Sequence, residues 1–210
     1  EYGPEGAPLE LPATLVGLKF REEEGSFLAG AAAALVSKSG MLGFVGGMDM
    51  PLIHKFEAGF RAGAERVRPG IQVLSGYAGV TANAFKDPAK GKELASSMYA
   101  RGADVVFHAS GTTGLGVFEA AREHGRLAIG VDSDQFDEAP GHVLTSMVKD
   151  VDVAVFRTIQ SVKVIRRVLP EDPFSQYLRE RMGMGRAPAR RETQQSLGSG
   201  FIVDKQGVVL

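Results

Sequence analysis

The stretch from Asp104 to Gln135, DVVFHASGTTGLGVFEAAREHGRLAIGVDSDQ, constrains the fold more than any other part of the chain. An apolar run, Val105 to Phe107, ends in a glycine-rich turn through Gly111, Gly114 and Gly116. A helical pattern follows in Val117, Phe118, Ala120 and Ala121 and is closed by Gly125. A second apolar run, Leu127 to Val131, then ends in Asp132 and Asp134. The order is strand, loop, helix, strand, with small and acidic residues just past both strand ends. In an open parallel sheet, ligands bind outside the carboxyl ends of the strands. Ser110 to Gly116 and Asp132 to Gln135 are therefore expected to line one crevice, and that crevice is the expected functional site.

The same alternation runs through the chain before and after this unit. Thr14 to Phe20 reads as a short strand, and Glu22 to Ser37 as a helix with an acidic first turn. In that helix Phe27, Leu28, Ala31, Ala32 and Leu35 recur at the 3.6-residue spacing. Met41 to Val45 is a buried strand ending at Gly46-Gly47. The next helix starts at Pro51, buries Leu52, Ile53, Phe56, Phe60 and Val67, and ends at Pro69-Gly70. Ile71 to Tyr77 is a strand and Thr81 to Phe85 a loop. Asp87 caps a helix with Pro88 at its first position, and this helix buries Leu94, Ala95 and Met98. His142 to Ser146 is the last strand, and Asp150 caps a final helix with apolar Val153, Val155, Phe156, Ile159 and Val162. Strands alternating with helices at this spacing predict an α/β fold, a parallel sheet covered on both faces and joined by right-handed crossovers.

Composition removes several function classes. The 210 residues carry a net charge of −1, so no global field attracts nucleic acid or a membrane surface. No run of about 18 apolar residues is present to span a bilayer. The absence of cysteine excludes disulfides, thiolate metal sites and a cysteine nucleophile. Residues 1–13 read as a loose leader without a signal peptide or anchor cysteine. The periodicity fails near Leu169. Residues 170–195 read as a linker and 196–210 as a β-hairpin that stops mid-strand, a poorly structured C-terminal tail.

Within the crevice, the order G-x-x-G-x-G leaves backbone donors at a helix start, which suits an acceptor or anion, or simply permits a tight turn. It is not the G-x-G-x-x-G of dinucleotide folds, although Asp132 lies about 20 residues on, so a nicotinamide-cofactor enzyme is an alternative. A carboxylate at Asp132 can accept two hydrogen bonds from a vicinal diol such as ribose. Asp134 caps the following turn or shares that role, and Asp137 and Glu138 offer little more toward a metal. Phe85 stands in a polar loop, where it stacks on a flat ring or packs against a helix. Lys149 is read from its position alone as a solvated lysine just past the last strand. His54 and His124 fall on helices and His142 where a loop meets the last strand. His108 lies near the crevice with no hydroxyl–histidine–carboxylate order around it.

Five segments carry a resemblance. They are FREEEGSFLAG (20–30), GFVGG with FEAGFRAG (43–63), GKELASSMYARGADVVFHASGTTGLGV (91–117), AIGVDSDQ (128–135) and LTSMVKDVDVAV (144–155). Together they closely resemble the basic membrane protein (BMP) family, nucleoside-binding lipoproteins that feed ABC transporters. The resemblance implies one parallel-sheet, three-layer lobe of a type I periplasmic-binding-protein fold over residues 14–169. The family's first lobe has no counterpart here. It further implies a purine nucleoside ligand (inosine, guanosine or adenosine), no cofactor, no catalysis, transporter membrane subunits as partners, and a place in the periplasm or on the outer face of the cytoplasmic membrane. By the same resemblance Phe85 stacks on the base, Gly111 offers a backbone contact, Asp132 takes the ribose hydroxyls and Lys149 sits beside the ligand. Ser110, Thr112 and Asp134 are weaker candidates. One lobe of a two-lobe clamp offers about half of a pocket that buries roughly 70–90% of a ligand. Weak or unmeasurable nucleoside binding by this chain alone, and self-association through the exposed lobe face, are therefore expected. EDPFSQYLRERMG (171–183) and SLGSGFIVDKQGVVL (196–210) resemble the start of an HtrA (Deg) serine protease domain without its triad. A truncated piece of such a protease is thus a second alternative. A regulator of the LacI type shares the fold, but no helix-turn-helix precedes it.

Overall fold

A computed structural model of the chain describes residues 17–161. Residues 19–150 form one compact unit, and the final helix belongs to a second unit that groups 1–18 with 151–210. The expected leader, linker and terminal hairpin lie outside the described residues, as do positions 14–16 of the first expected strand. Its described remainder, 17–20, has no regular secondary structure.

Five strands make one all-parallel sheet: β1 (Met41–Met48), β2 (Gln72–Gly79), β3 (Val105–Ala109), β4 (Leu127–Asp132) and β5 (Val143–Val148). Their order is β2-β1-β3-β4-β5. The helices are α1 (Glu22–Val36), α2 (Pro51–Val67), α3 (Pro88–Ala100), α4 (Gly114–His124) and α5 (Val151–Ser161). The strands are short, apolar and bounded by glycine or an acidic residue, and each expected helix forms within a few residues of its expected ends. Asp87 caps α3 by accepting the Lys90 amide at 2.9 Å, which satisfies one of the orphan donors of the first turn. Gly125 closes α4 in the left-handed region at φ +59°.

Alternation along the strands divides the core in two. Phe44, Val105, Phe107, Ile129 and Met147 face α1 and α2, where Ile53, Phe56 and Phe60 meet them. Val45, Val106 and Ala128 face α3 and α4, against Ala95, Met98, Val117 and Phe118. The result is a three-layer arrangement in which the central strands β1, β3 and β4 are covered on both faces.

Two helices bury different faces from those their bulkiest residues suggest. On α1, Leu28 and Leu35 are 69% and 75% exposed, while Ser26, Ala29, Gly30, Ala33 and Ala34 are buried. The cause is the close approach of α2. A β-carbon on Gly30 would lie 2.0 Å from the Phe60 carbonyl oxygen, and one on Gly63 would lie 1.9 Å from that of Phe27. Backbone contact of this kind admits only small residues, so the small stripe turns inward and the leucines turn out. On α2, Ile53, Phe56 and Phe60 are buried as expected, but Leu52 and Val67 are exposed at the two ends of the helix.

Candidate functional site

All five strands run the same way, so their carboxyl ends share one edge of the sheet. The chain leaves β1 to place β2 on one side and later β3 on the other, which puts the topological switch point between β1 and β3. Phe85 sits there. The β2–α3 connection forms a short 3-10 turn, Ala82–Phe85, and delivers the half-buried ring over the end of β1. A β-carbon on Gly47 would stand 2.3 Å from Phe85 Cε1, so the missing side chain at 47 is the seat of the ring. On the other flank is Gly111, at φ +57°, whose absent β-carbon would lie 3.1 Å from the Phe85 carbonyl oxygen. Two hydroxyls fix this pair. Thr112 Oγ1 donates to the Phe85 carbonyl and Thr113 Oγ1 to the Ala84 carbonyl, each at 2.8 Å. Thr113 Oγ1 also accepts the Asp87 amide at 2.8 Å.

Asp132 and Lys149 form a second pair on the same edge, the first ending β4 and the second just past β5. Asp132 has φ +67° and is the one non-glycine residue in the left-handed region among the described residues. Aspartate tolerates that region better than most side chains, at a cost of about 1 kcal/mol or more. The Asp132 carbonyl accepts the Lys149 amide at 3.0 Å, which ties the two strand ends together. The Asp132 side chain is 58% exposed. Lys149 is not the solvated lysine its position suggests, because its side chain is only 18% exposed. Its ammonium lies 3.3 Å from Glu22 Oε1 and 3.7 Å from Asp132 Oδ1. It also lies 5.5 Å and 5.0 Å from the ring centres of Phe20 and Phe56, within cation–π range.

The glycine-rich loop divides its roles. Gly114 makes room for His108, whose Cε1 would lie 2.0 Å from a β-carbon there, and Gly116 makes room for the Pro88 carbonyl at 1.8 Å. These two glycines serve packing, and only Gly111 of the three remains exposed at the crevice. Ser110 is fully buried and its hydroxyl lies 3.3 Å from His108 Nδ1, so its side chain faces the core. Thr112 is spent on the Phe85 carbonyl. Asp134 accepts the Phe136 amide at 3.1 Å and so caps its turn, as the local pattern allowed.

His108 is buried beside the crevice rather than in it. Its ring meets Phe118 edge-on, and burial pushes its pKa down to about 4. Gln135 Oε1 accepts the Val131 amide at 2.8 Å and lies 3.1 Å from His108 Nε2. An acceptor there places the imidazole proton on Nε2 and leaves Nδ1 to accept from Ser110. The Gln135 backbone N–H donates to Ser146 Oγ at 3.0 Å. His108 and Gln135 thus join β3, β4 and β5 just behind Asp132.

The structure therefore gathers Phe85 with Gly111 and Asp132 with Lys149 at one sheet edge, and turns Ser110 away from it. Sequence reasoning missed Gly47, Glu22, Phe20 and Phe56. Glu22 shares the helical stripe of Ser26, Ala29 and Ala33, all buried, but that stripe is marked as the inner one only by the approach of α2. Among the described residues, no group of three or more histidine or acidic side chains is placed to hold a metal ion, and no helix is long and apolar enough to cross a membrane.

This parallel sheet has the fold of a lobe of the type I periplasmic-binding-protein class. A structure of an ABC transporter solute-binding protein from Aeropyrum pernix K1 superposes with a TM-score of 0.60 at 31% identity, over 68% of this chain and 42% of that one. One from Conexibacter woesei DSM 14684 gives 0.52 over 81% of this chain and 64% of that one, and its 19% identity speaks to the fold alone. The chain itself belongs to the Bmp family, described as ABC transporter substrate-binding protein PnrA-like, whose model matches residues 8–171. Basic membrane protein A of Borreliella afzelii is 43% identical over 143 residues, 67% of this chain. The chain spans less than half of that relative's length, 43%.

Proposed function

We propose that this chain recognises a purine nucleoside for uptake by an ABC transporter, as a binder and not a catalyst, on the outer side of the cytoplasmic membrane. The observation that carries the reading is the pairing on one sheet edge of an exposed carboxylate, Asp132, with a half-buried aromatic ring, Phe85. A nucleoside needs both: a flat face to cover its base, and an acceptor pair for its vicinal hydroxyls. Gly111 leaves backbone within reach of the base, and Lys149 supplies a donor beside the sugar. Family membership supports transport, with transporter membrane subunits as partners.

The test is calorimetric titration of inosine, guanosine and adenosine to millimolar concentration, on the wild type and on Asp132→Asn. Asparagine keeps the tolerance for the left-handed region and removes the charge. Loss of charge-assisted hydrogen bonds to the diol is expected to weaken binding by at least about tenfold. Equal affinity in the two proteins would refute the reading.

A further inference from the structure

Lys149 is held by a frame that needs no ligand. Glu22 opens α1, is 6% exposed, and carries the nearer of the two carboxylates around the ammonium. Phe20 and Phe56 cover the ammonium with their rings. An exposed aspartate beside a lysine with no other partner would close on it as a direct ion pair, and both groups would then be occupied with each other. Here the separation to Asp132 is 3.7 Å, longer than a charge-assisted hydrogen bond of about 2.8 Å. The ammonium leans instead toward Glu22 at 3.3 Å.

We propose that Glu22 is a positioning residue of the ligand site: it draws Lys149 off Asp132, so that both Asp132 oxygens stay open to a vicinal diol and the ammonium stays beside them. The proposal rests on the nucleoside reading for the identity of the ligand, but not for the geometry. Two carboxylates around one ammonium leave this end of the crevice net negative. It therefore accepts a neutral, hydroxylated sugar and repels a sugar carrying phosphate.

Three measurements on Glu22→Gln and its relatives decide the matter. In a ligand-free crystal structure of Glu22→Gln, Lys149 Nζ is expected to close on Asp132 to about 2.8 Å. An ammonium that stays at its wild-type distance would overturn the proposal. In titrations, Glu22→Gln is expected to lose about tenfold in affinity for inosine and nothing for 2′,3′-dideoxyinosine, which lacks the diol. An equal loss for both ligands would mean a merely structural role. If Glu22→Gln does not fold, Lys149→Met and the double variant Glu22→Gln/Lys149→Met take its place, since removing both members of a buried pair is often tolerated. Glu22 acts through Lys149, so the double variant is expected to match Lys149→Met for inosine, and a further tenfold loss would sink the idea. Where the wild type gives no heat with either nucleoside, the Lys149–Asp132 distance alone decides the proposal.

Discussion

Gly47 and Phe85 share a space that admits only one side chain: a β-carbon at 47 would stand 2.3 Å from Cε1 of the ring. The two residues come from different strand ends, β1 and β2, and meet at the switch point of the sheet. Gly47→Ala must therefore tilt the ring, because the ring and not the backbone is the movable partner. Guanosine affinity is expected to fall about tenfold, the scale of one lost base–aromatic stack. The stability change should stay near 1 kcal/mol, the cost of an off-rotamer ring. Titration and urea unfolding of the same variant check both halves.

Gly63→Ala is expected to act in the opposite way. Its new methyl would lie 1.9 Å from the Phe27 carbonyl oxygen, with backbone on both sides and no side chain to give way. The α1–α2 pair must separate, at a cost near the upper end of the roughly 1–3 kcal/mol for overpacking. The urea midpoint should drop with an unchanged slope.

Stability should fall as pH falls from about 6.5 toward 4, because of His108. Above that window the imidazole is neutral in both states. Within it the unfolded chain takes a proton that the buried ring refuses, since its pKa is pushed down to about 4. The loss is on the order of 3 kcal/mol across the window, and it levels off once the folded ring also protonates. His108→Gln should flatten this part of a stability–pH curve measured by urea unfolding, even if it lowers the whole curve.

Below that window the acid sensitivity should pass to Asp104. Its carboxylate accepts the Ser37 hydroxyl at 2.9 Å and the Lys38 amide at 2.7 Å, and pairs with Arg126 at 2.8 Å. Burial pulls its pKa upward, but the hydrogen bonds outweigh that and hold it below the ordinary range. Its contribution is present above the unfolded value near 4 and is lost as pH falls through the lower folded value. Asp104→Asn should lower stability at pH 7 by about 1–3 kcal/mol and remove this second acid limb.

Much of this architecture was legible because its signals are local. The β3–α4–β4 unit declares itself by two apolar runs, a glycine turn and Gly125, all within about thirty residues of one another. The same locality allowed Gly111 and Asp132 to be placed at the carboxyl edge, one just past the end of β3 and the other ending β4. What was not legible depends on partners distant in the chain. The inward face of α1 is chosen by Gly59 and Gly63 of α2, which no periodicity within α1 reveals. Lys149 reads as solvated because the carboxylate and rings that enclose it come from Phe20, Glu22 and Phe56. Ser110 looked available because a strand end does not say which way its hydroxyl points. His108, two residues earlier, settles that.

The Thr112 and Thr113 hydroxyls have a thermodynamic consequence for the crevice. They fasten the loop that carries Phe85 to the loop that carries Gly111, so the two segments lose their independent freedom when the chain folds, not when a ligand arrives. An incoming molecule meets one pre-ordered wall in place of two wandering ones. Its association entropy is spared the ordering of a second loop.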